Sequence, residues 1–466
     1  MLKKITIKGY RGFRTSTPIP LATPNGQPGS GYNVFVGPNN SGKTTSLEAI
    51  KYYHAPAQNI SFSEGKRNTK SKKSGHVKID YLADDGAKFT VETVPEGGSQ
   101  VIISGEANID EIPYVLQSRR YTDYEMHNPY PNQNRGNFII NQINNTRNRS
   151  YNLSGYEERI FRWREHKAEF DKMLHQIIIE PFDWTIEQSD NGAYYIKMIF
   201  ANGSIIHTRE GVGDGYWSIF TIVDALYDSK PGSIIAIDEP ELSLHPSMQK
   251  RIIKIFEEYS ANRQIIVTTH SPYFISINSI LNMGSLIRFH KSLSGDIMIN
   301  TIDADDRAFI KSTTTNVNNP HILGHKALEL FFAENGLVIT EGQDDVIIIS
   351  RICRGLGLHI HADFFGWGAG GMGNIPKILH MLRNLGYDNI SAIYDGDKTK
   401  EYKNCKDLFP EYNILILPKD DIRDKPATPP RTKKEGLADE HGNLKPDNKA
   451  AFIKIIDSIN SYSSTE

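Results

Sequence analysis

The sequence predicts an α/β protein made of two blocks of parallel sheet, the first interrupted by a helical insertion. Three observations carry this expectation. Short apolar strands alternate with helical runs over residues 186–305 and again over 325–420, the pattern of parallel sheets with helices on their faces. Between residues 110 and 185 the alternation gives way to an Asn-rich stretch, Asn128 to Asn152, and then a charged helical run, Tyr156 to Leu174. Both blocks also place acidic residues directly after apolar strands, where α/β folds build their sites.

Composition removes other classes. A chain of 466 residues holds two or three domains. Its 38% hydrophobic and 23% charged residues are ordinary for a protein with real cores. The formal charge of −2, from 53 basic and 55 acidic side chains, predicts no global attraction to nucleic acid or membrane, so any basic surface is local. Two cysteines, Cys353 and Cys405, cannot make a disulfide framework, and no Cys/His cluster offers a zinc site. No apolar run approaches the roughly 18 residues that span a bilayer. The start, MLKKITIKGYRG, alternates like a strand and lacks the apolar block of a signal peptide. A cytoplasmic protein without a membrane partner is expected.

In chain order, residues 1–110 read as alternating strands around one Gly-rich loop and one helix, with a polar, basic linker at residues 61–75. Residues 111–185 form the insertion, and residues 186–325 resume the first block. The second block covers residues 326–466 and ends in a Lys-, Pro-, Gly- and Asp-rich tail, Lys425 to Pro446, and an amphipathic helix, Lys449 to Ile459.

The first chemical signal is Gly37-Pro38-Asn39-Asn40-Ser41-Gly42-Lys43-Thr44, a complete GxxxxGK[ST] pattern between the apolar strand Val34 to Val36 and a helix beginning at Thr45. The loop and helix N–H groups would face the phosphates of ATP, Lys43 its β and γ oxygens, and the Thr44 hydroxyl Mg²⁺. A matching second half lies downstream. The buried-strand pattern Ser233 to Ile237 ends in Asp238, for the Mg²⁺ shell, and Glu239, for polarising water. The strand Gln264 to Thr268 ends at Thr269-His270-Ser271-Pro272, which brings His270 near a γ-phosphate.

With GPNNSGKTT, IIAIDEPELSLHP and TTHSP in this order, residues 1–300 resemble ATPases of the ABC and SMC type, particularly the short DNA-repair-like branch. The resemblance implies that Ser243 to Pro246 is the D-loop and His270 the switch histidine. It also implies a signature loop at Glu210 to Gly215, through which Gly213 would contact ATP on the opposite subunit. This loop lacks the serine of the common form. No sustained heptads support a long coiled-coil arm.

The second block carries its own constellation. The strand Gly336 to Thr340 stops at Glu341, Asp345 lies one turn into the next helix, and the strand Ile390 to Tyr394 ends at Asp395-Gly396-Asp397. Carboxylates gathered at neighbouring strand ends repel one another without a cation, and such a hard-oxygen cluster suits Mg²⁺ or Mn²⁺. The block resembles a Toprim domain, a Rossmann-like metal-binding domain. An ABC-type ATPase followed by Toprim is similar to the OLD (overcoming lysogenization defect) family of ATP-linked endonucleases.

That likeness implies an ATP- and divalent-metal-dependent DNA endonuclease in antiphage defence. It implies that residues 111–185 are a dimerisation insertion, that the chain is a homodimer or higher oligomer, and that a second component, such as a helicase or a retron reverse transcriptase with its DNA, gates it. It also implies a basic residue after the DxD. Lys419, Lys425 and Lys434 all fall in the window and Lys425 is the first choice, while Asp421 or Asp424 serves a second metal. Arg423 stands where the family carries a glutamate. Basic clusters at Lys66-Arg67, Lys70, Lys72-Lys73, Arg147 to Arg164 and Arg431 to Lys434 are candidates for DNA phosphates. The alternative function is a DNA-binding repair or sensor ATPase whose second block is a non-cleaving scaffold.

Overall fold

A computed structural model describes residues 1–53, 60–68, 75–94, 100–105, 113–118, 166–188, 194–200, 203–208, 211–314, 328–332, 336–427 and 433–463. Most of the expected insertion, with the Asn-rich stretch and the arginines Arg147 to Arg164, lies outside the described residues. The chain divides into two compact units, Met1–Ile299 and Asn300–Glu466. The division falls within the strand Ile297–Thr301, so the helix Ala304–Thr314 groups with the second unit rather than the first.

The first unit is centred on a six-stranded sheet in the order Ile297–Thr301, Ser285–Lys291, Tyr32–Val36, Gln264–Thr268, Ile234–Asp238, Tyr114–Leu116. Tyr32–Val36, Gln264–Thr268 and Ile234–Asp238 are buried at every position, as strands covered on both faces must be, and they pair in parallel. The helix Pro246–Tyr259 starts with proline in its first turn, where the missing N–H costs nothing, and buries Ile252, Ile253, Ile255 and Phe256.

The expectation of purely parallel sheets needs correction here. Residues 2–105 fold largely into a five-stranded sheet in the order Thr17–Pro20, Leu2–Lys8, Lys78–Ala83, Lys88–Thr93, Val101–Gly105, antiparallel throughout. The strand Lys78–Ala83 alternates half-buried and buried residues, so only one face is covered, and the tight turn at Gly86 (φ 89°) allows a direct reversal without a crossover helix. The 61–75 stretch is also more ordered than a linker where it is described. Arg67 bridges to Tyr10, and its Nε donates to the Phe62 carbonyl at 2.8 Å.

A three-stranded antiparallel sheet, Phe182–Gln188, Tyr194–Phe200 and Ile205–His207, packs its aromatic residues on two helices. Phe170 of the helix Lys167–Ile177 and Phe220 of the helix Asp214–Asp228 lie 5.8 and 5.7 Å from the Trp184 ring. The charged helical run expected to end at Leu174 therefore continues to Ile177, and its residues before 166 lie outside the described ones.

The second unit is a four-stranded, wholly parallel sheet in the order Ala362–Phe364, Gly336–Ile339, Ile390–Tyr394, Asn413–Ile416. The helices Gln343–Leu356, Ile375–Asn384 and Thr399–Leu408 lie between its strands in sequence. The final helix, Lys449–Ser463, closes the core with Phe452, Ile456 and Ile459. The expected polar tail contains structure of its own. Asp421–Arg423 pairs in parallel with Gly436–Ala438, and Ile422, Leu437 and Ala438 are fully buried. Few apolar residues suffice, because Gly436 lets the two backbones meet where a Cβ would come 2.0 Å from the Arg423 carbonyl carbon.

Gly37 is one of the tightest joints of the first unit. It sits at φ 134°, and a Cβ there would lie 1.9 Å from the Phe289 carbonyl oxygen. Gly37→Ala is expected to destabilise that unit by about 2–4 kcal/mol through backbone strain and overpacking. The check is its urea midpoint by circular dichroism, and a shift worth less than about 0.5 kcal/mol contradicts the assignment.

Candidate active sites

In the first unit the Gly-rich loop leaves the central strand through Gly37, passes Asn40 at φ 60° and Gly42 at φ 105°, and opens the helix Lys43–Ile50, which has no side-chain cap. Lys43 is 5% exposed and its Nζ donates to the Gly37 and Pro38 carbonyls, both at 2.8 Å. The Thr44 hydroxyl donates to Asp238 at 3.1 Å to Oδ1 and 3.3 Å to Oδ2. Asp238 is 2% exposed and accepts a second hydroxyl from Thr268. The structure thus brings the expected Thr44 and Asp238 together across two neighbouring elements. A hydroxyl and a carboxylate at this spacing are the oxygen donors that a hard divalent cation takes.

Glu239 leaves the strand at φ 46°, with its N–H on the Thr268 carbonyl at 2.9 Å. His270 is exposed, and its backbone N–H donates 2.6 Å to Glu241 Oε1. The Thr269 hydroxyl donates 2.8 Å to Glu241 Oε2. Glu241 was not among the sequence candidates, because its only signal is being the second acid after Asp238 in a run dominated by Asp238 and Glu239. Burial pushes its carboxyl up, the His270 N–H and the Thr269 hydroxyl pull it back, and the Glu239 charge adds to the rise. Gly213 caps the helix Asp214–Asp228 with open space where a Cβ would stand, and Glu210 of the expected signature loop lies outside the described residues. Gly215 lies against the D-loop, where a Cβ would come 2.5 Å from the Ser243 carbonyl oxygen.

In the second unit the parallel pairing of Gly336–Ile339 with Ile390–Tyr394 delivers Glu341 and Asp395 to the same sheet end, where Glu341 Oε1 accepts the Asp395 N–H at 3.0 Å. Asp345 caps the following helix by accepting the Gly342 N–H at 2.9 Å. Oxygens of Asp345, Asp395 and Asp421 all lie within 4.8 Å of one another, a convergence that fits a hard divalent cation. Burial first, then the neighbouring carboxylates, pushes Asp345 up to about 7 and Asp395 up to about 8. Burial likewise raises Glu341. Asp397 is exposed, and its hydrogen bonds to Lys434 and Lys398 outweigh its partial burial and hold it below the usual carboxylate range.

Three lysines were open from sequence, and the geometry separates them. Lys434 Nζ lies 2.9 Å from Asp397, 3.5 Å from Asp421 and 3.7 Å from Asp395. Lys425, the first choice, reaches Asp421 at 2.7 Å and is joined to Lys434 by a two-way backbone bridge. Lys419 turns away to Glu435 at 2.7 Å. Of the two aspartates left open, Asp421 is 1% exposed inside the cluster, whereas Asp424 binds the Gly436 N–H and Lys445. Arg423 pairs with Asp344 at 2.9 Å, which takes Asp344 out of the cluster.

A further group, Asp303, Asp306 and His380, also converges within 4.8 Å. Asp303 and Asp306 accept each other's N–H groups at 2.9 and 3.1 Å, and Asn384 donates to both at 2.8 Å. These bonds cap the helix Ala304–Thr314 and account for the group structurally.

Together these features define a P-loop ATPase unit joined to a unit with a buried carboxylate site. Residues 1–180 match the family described as "AAA ATPase domain", and residues 108–276 the family described as "AAA domain, putative AbiEii toxin, Type IV TA system". The chain is 24% identical over 286 residues to the Septu protein PtuA of Bacillus thuringiensis, a match covering 54% of this chain and 70% of PtuA. It is 26% identical over 134 residues to the Old nuclease of Escherichia phage P2, covering 28% of this chain and 22% of that protein. Endonuclease GajA of Bacillus cereus is 24% identical over 286 residues, covering 52% of this chain and 41% of GajA. The chain is thus similar to OLD nucleases, as its motifs implied, and it spans less than half the length of these two nucleases. Among solved structures, the Smc head domain derived from Pyrococcus furiosus aligns with 14% identity over 68% of this chain and 99% of that one, at a TM-score of 0.43. No described helix is long and apolar enough to cross a membrane.

The raised carboxyls carry a pH signature. Asp345 and Asp395 titrate near 7 and 8 in the fold but near 4 in the unfolded chain, so the native cluster binds more protons across that window and stability falls as pH rises through it. Without divalent ions, the thermal midpoint of the second unit should drop between about pH 5 and pH 8, and Mn²⁺ or Mg²⁺ should raise it more at the higher pH. An equal metal shift at both pH values would contradict a site made of these carboxyls.

Proposed function

We propose that the chain is an ATP-hydrolysing, divalent-metal-dependent DNA endonuclease of antiphage defence. The observation that carries this reading is the convergence of Asp345, Asp395 and Asp421, beside Glu341 and Lys434, in a chain whose other unit holds a P-loop. Glu341, Asp345, Asp395, Asp397 and Asp421 would hold Mg²⁺ or Mn²⁺, which when bound supplies a Lewis acid for phosphodiester chemistry. Lys434 balances the carboxylates and meets the charge on the attacked phosphate, and Lys425 holds Asp421 in place. In the first unit Lys43 would face the phosphates of ATP, Thr44 and Asp238 would hold Mg²⁺, Glu239 would polarise the water and His270 would contact the γ-phosphate.

The ATP sites are shared across a homodimer through Gly213, with the insertion expected at residues 111–185 at its interface, apart from Tyr114–Leu116, which belongs to the central sheet, and the strand that begins at Phe182, and a second defence component gates the nuclease. A mass measurement at saturating ATP should report a dimer for the wild type and for Glu239→Gln, and a monomer in both would refute this assembly.

A second reading is favoured by one observation. Lys434 already compensates three carboxylates, as a non-cleaving scaffold would need. Cleavage of supercoiled and linear duplex DNA with Mn²⁺ or Mg²⁺, with and without ATP, decides between them. The nuclease reading expects metal-dependent cutting that falls by about a hundredfold or more in Asp395→Ala/Asp397→Ala and in Lys434→Ala, with a smaller loss in Lys425→Ala. Cutting that survives Asp395→Ala/Asp397→Ala refutes the assignment, and an absence of cutting even with the neighbouring gene products present supports the scaffold.

A further inference from the structure

We propose that Glu241 is a positioning residue for ATP turnover, its carboxylate clamping the His270 segment to the turn that follows Glu239. The inference rests on the ATPase reading above and concerns a residue that this reading leaves unused.

The strands Ile234–Asp238 and Gln264–Thr268 run in parallel with Asp238 opposite Thr268. The backbone ladder runs one residue further, with the Glu239 N–H on the Thr268 carbonyl at 2.9 Å and the Thr269 N–H on the Phe35 carbonyl at 3.1 Å, and beyond it side chains link the two segments. One oxygen of Glu241 accepts the His270 N–H at 2.6 Å, and the other accepts the Thr269 hydroxyl at 2.8 Å. Thr269 Oγ1 in turn accepts the Ser271 N–H at 2.9 Å. A second strut runs alongside, where the Ser271 hydroxyl donates to Gln249 Oε1 at 2.6 Å and Gln249 Nε2 donates to the Leu244 carbonyl at 2.9 Å.

The turn so clamped includes Glu239 at φ 46° and Ser243 at φ 62°, backbone angles that hold only when the surroundings enforce them. His270 is exposed, so the place of its imidazole depends on where this segment is held. A carboxylate accepting two donors is a stiff tether, because charge-assisted hydrogen bonds are short and directional. Displacing a group in contact with the reacting atoms by about 1 Å costs up to a hundredfold in rate.

The test uses the full chain and measures ATPase kcat and KM for wild type, E241A, E241Q, H270A and E241A/H270A. E241A is expected to lower kcat about 10- to 100-fold with KM for ATP within about twofold. E241Q should stay within about fivefold of wild type, because its amide oxygen still accepts the His270 N–H and its amide nitrogen donates to Thr269 Oγ1. E241A/H270A should be no slower than H270A, since a clamp has nothing to position once the imidazole is gone. An unchanged kcat in E241A, equal damage in E241Q, or a double variant showing the product of both losses overturns the proposal. Thr269→Val, which removes one of the two donors, repeats the same cycle with a smaller expected loss should E241A fold poorly. Wild-type protein without ATP turnover refutes the ATPase reading and the clamp together, whereas turnover with multiplicative losses refutes the clamp alone.

Discussion

Carboxylates buried at the carboxyl ends of central parallel strands are the physical constraint on which both units depend. Asp238 is 2% exposed and Asp395 8%, and each is the residue at which its buried strand gives way to a loop. An ionised carboxylate taken from water loses several kcal/mol of hydration unless hydrogen bonds, a cation or a proton replace it. Much of the local architecture around each strand end supplies that replacement.

The two units meet the constraint differently. Around Asp238 the compensation is hydroxyl groups, from Thr44 on the helix after the Gly-rich loop and Thr268 on the neighbouring strand. This ties the start of that helix to the sheet. Around Asp395 the neighbours are mostly other acids, and the compensation is an ammonium, Lys434, together with raised carboxyl pKa values that keep protons in the cluster. Lys434 comes from the polar segment near the chain end, so the short ladder of Asp421–Arg423 with Gly436–Ala438 does electrostatic work beyond its small core.

Backbone strain marks the same places. Of the five non-glycine residues with positive φ among the described residues, Asn40, Glu239 and Ser243 all belong to the motifs of the expected ATP site. Glu239 and Ser243 flank Glu241, whose carboxylate ties their turn to the neighbouring strand end.

What depends on local order was legible in the sequence: the loop Gly37 to Thr44 with its strand and helix, and the apolar strands tipped by Asp238 and by Asp395. Those features repeat a period or a spacing over neighbouring residues, so they are legible without a partner. The antiparallel pairing of residues 2–105 was not legible, because alternating strands carry the same period in either direction and only the connection chooses. That Lys434 faces three carboxylates where Lys425 faces one, that Asp421 rather than Asp424 sits among them, and that Glu241 meets His270 depend on tertiary structure alone. Each joins segments whose meeting is set by strand register and sheet order, and a lysine or a glutamate looks the same in sequence whichever carboxylate or N–H it finally faces.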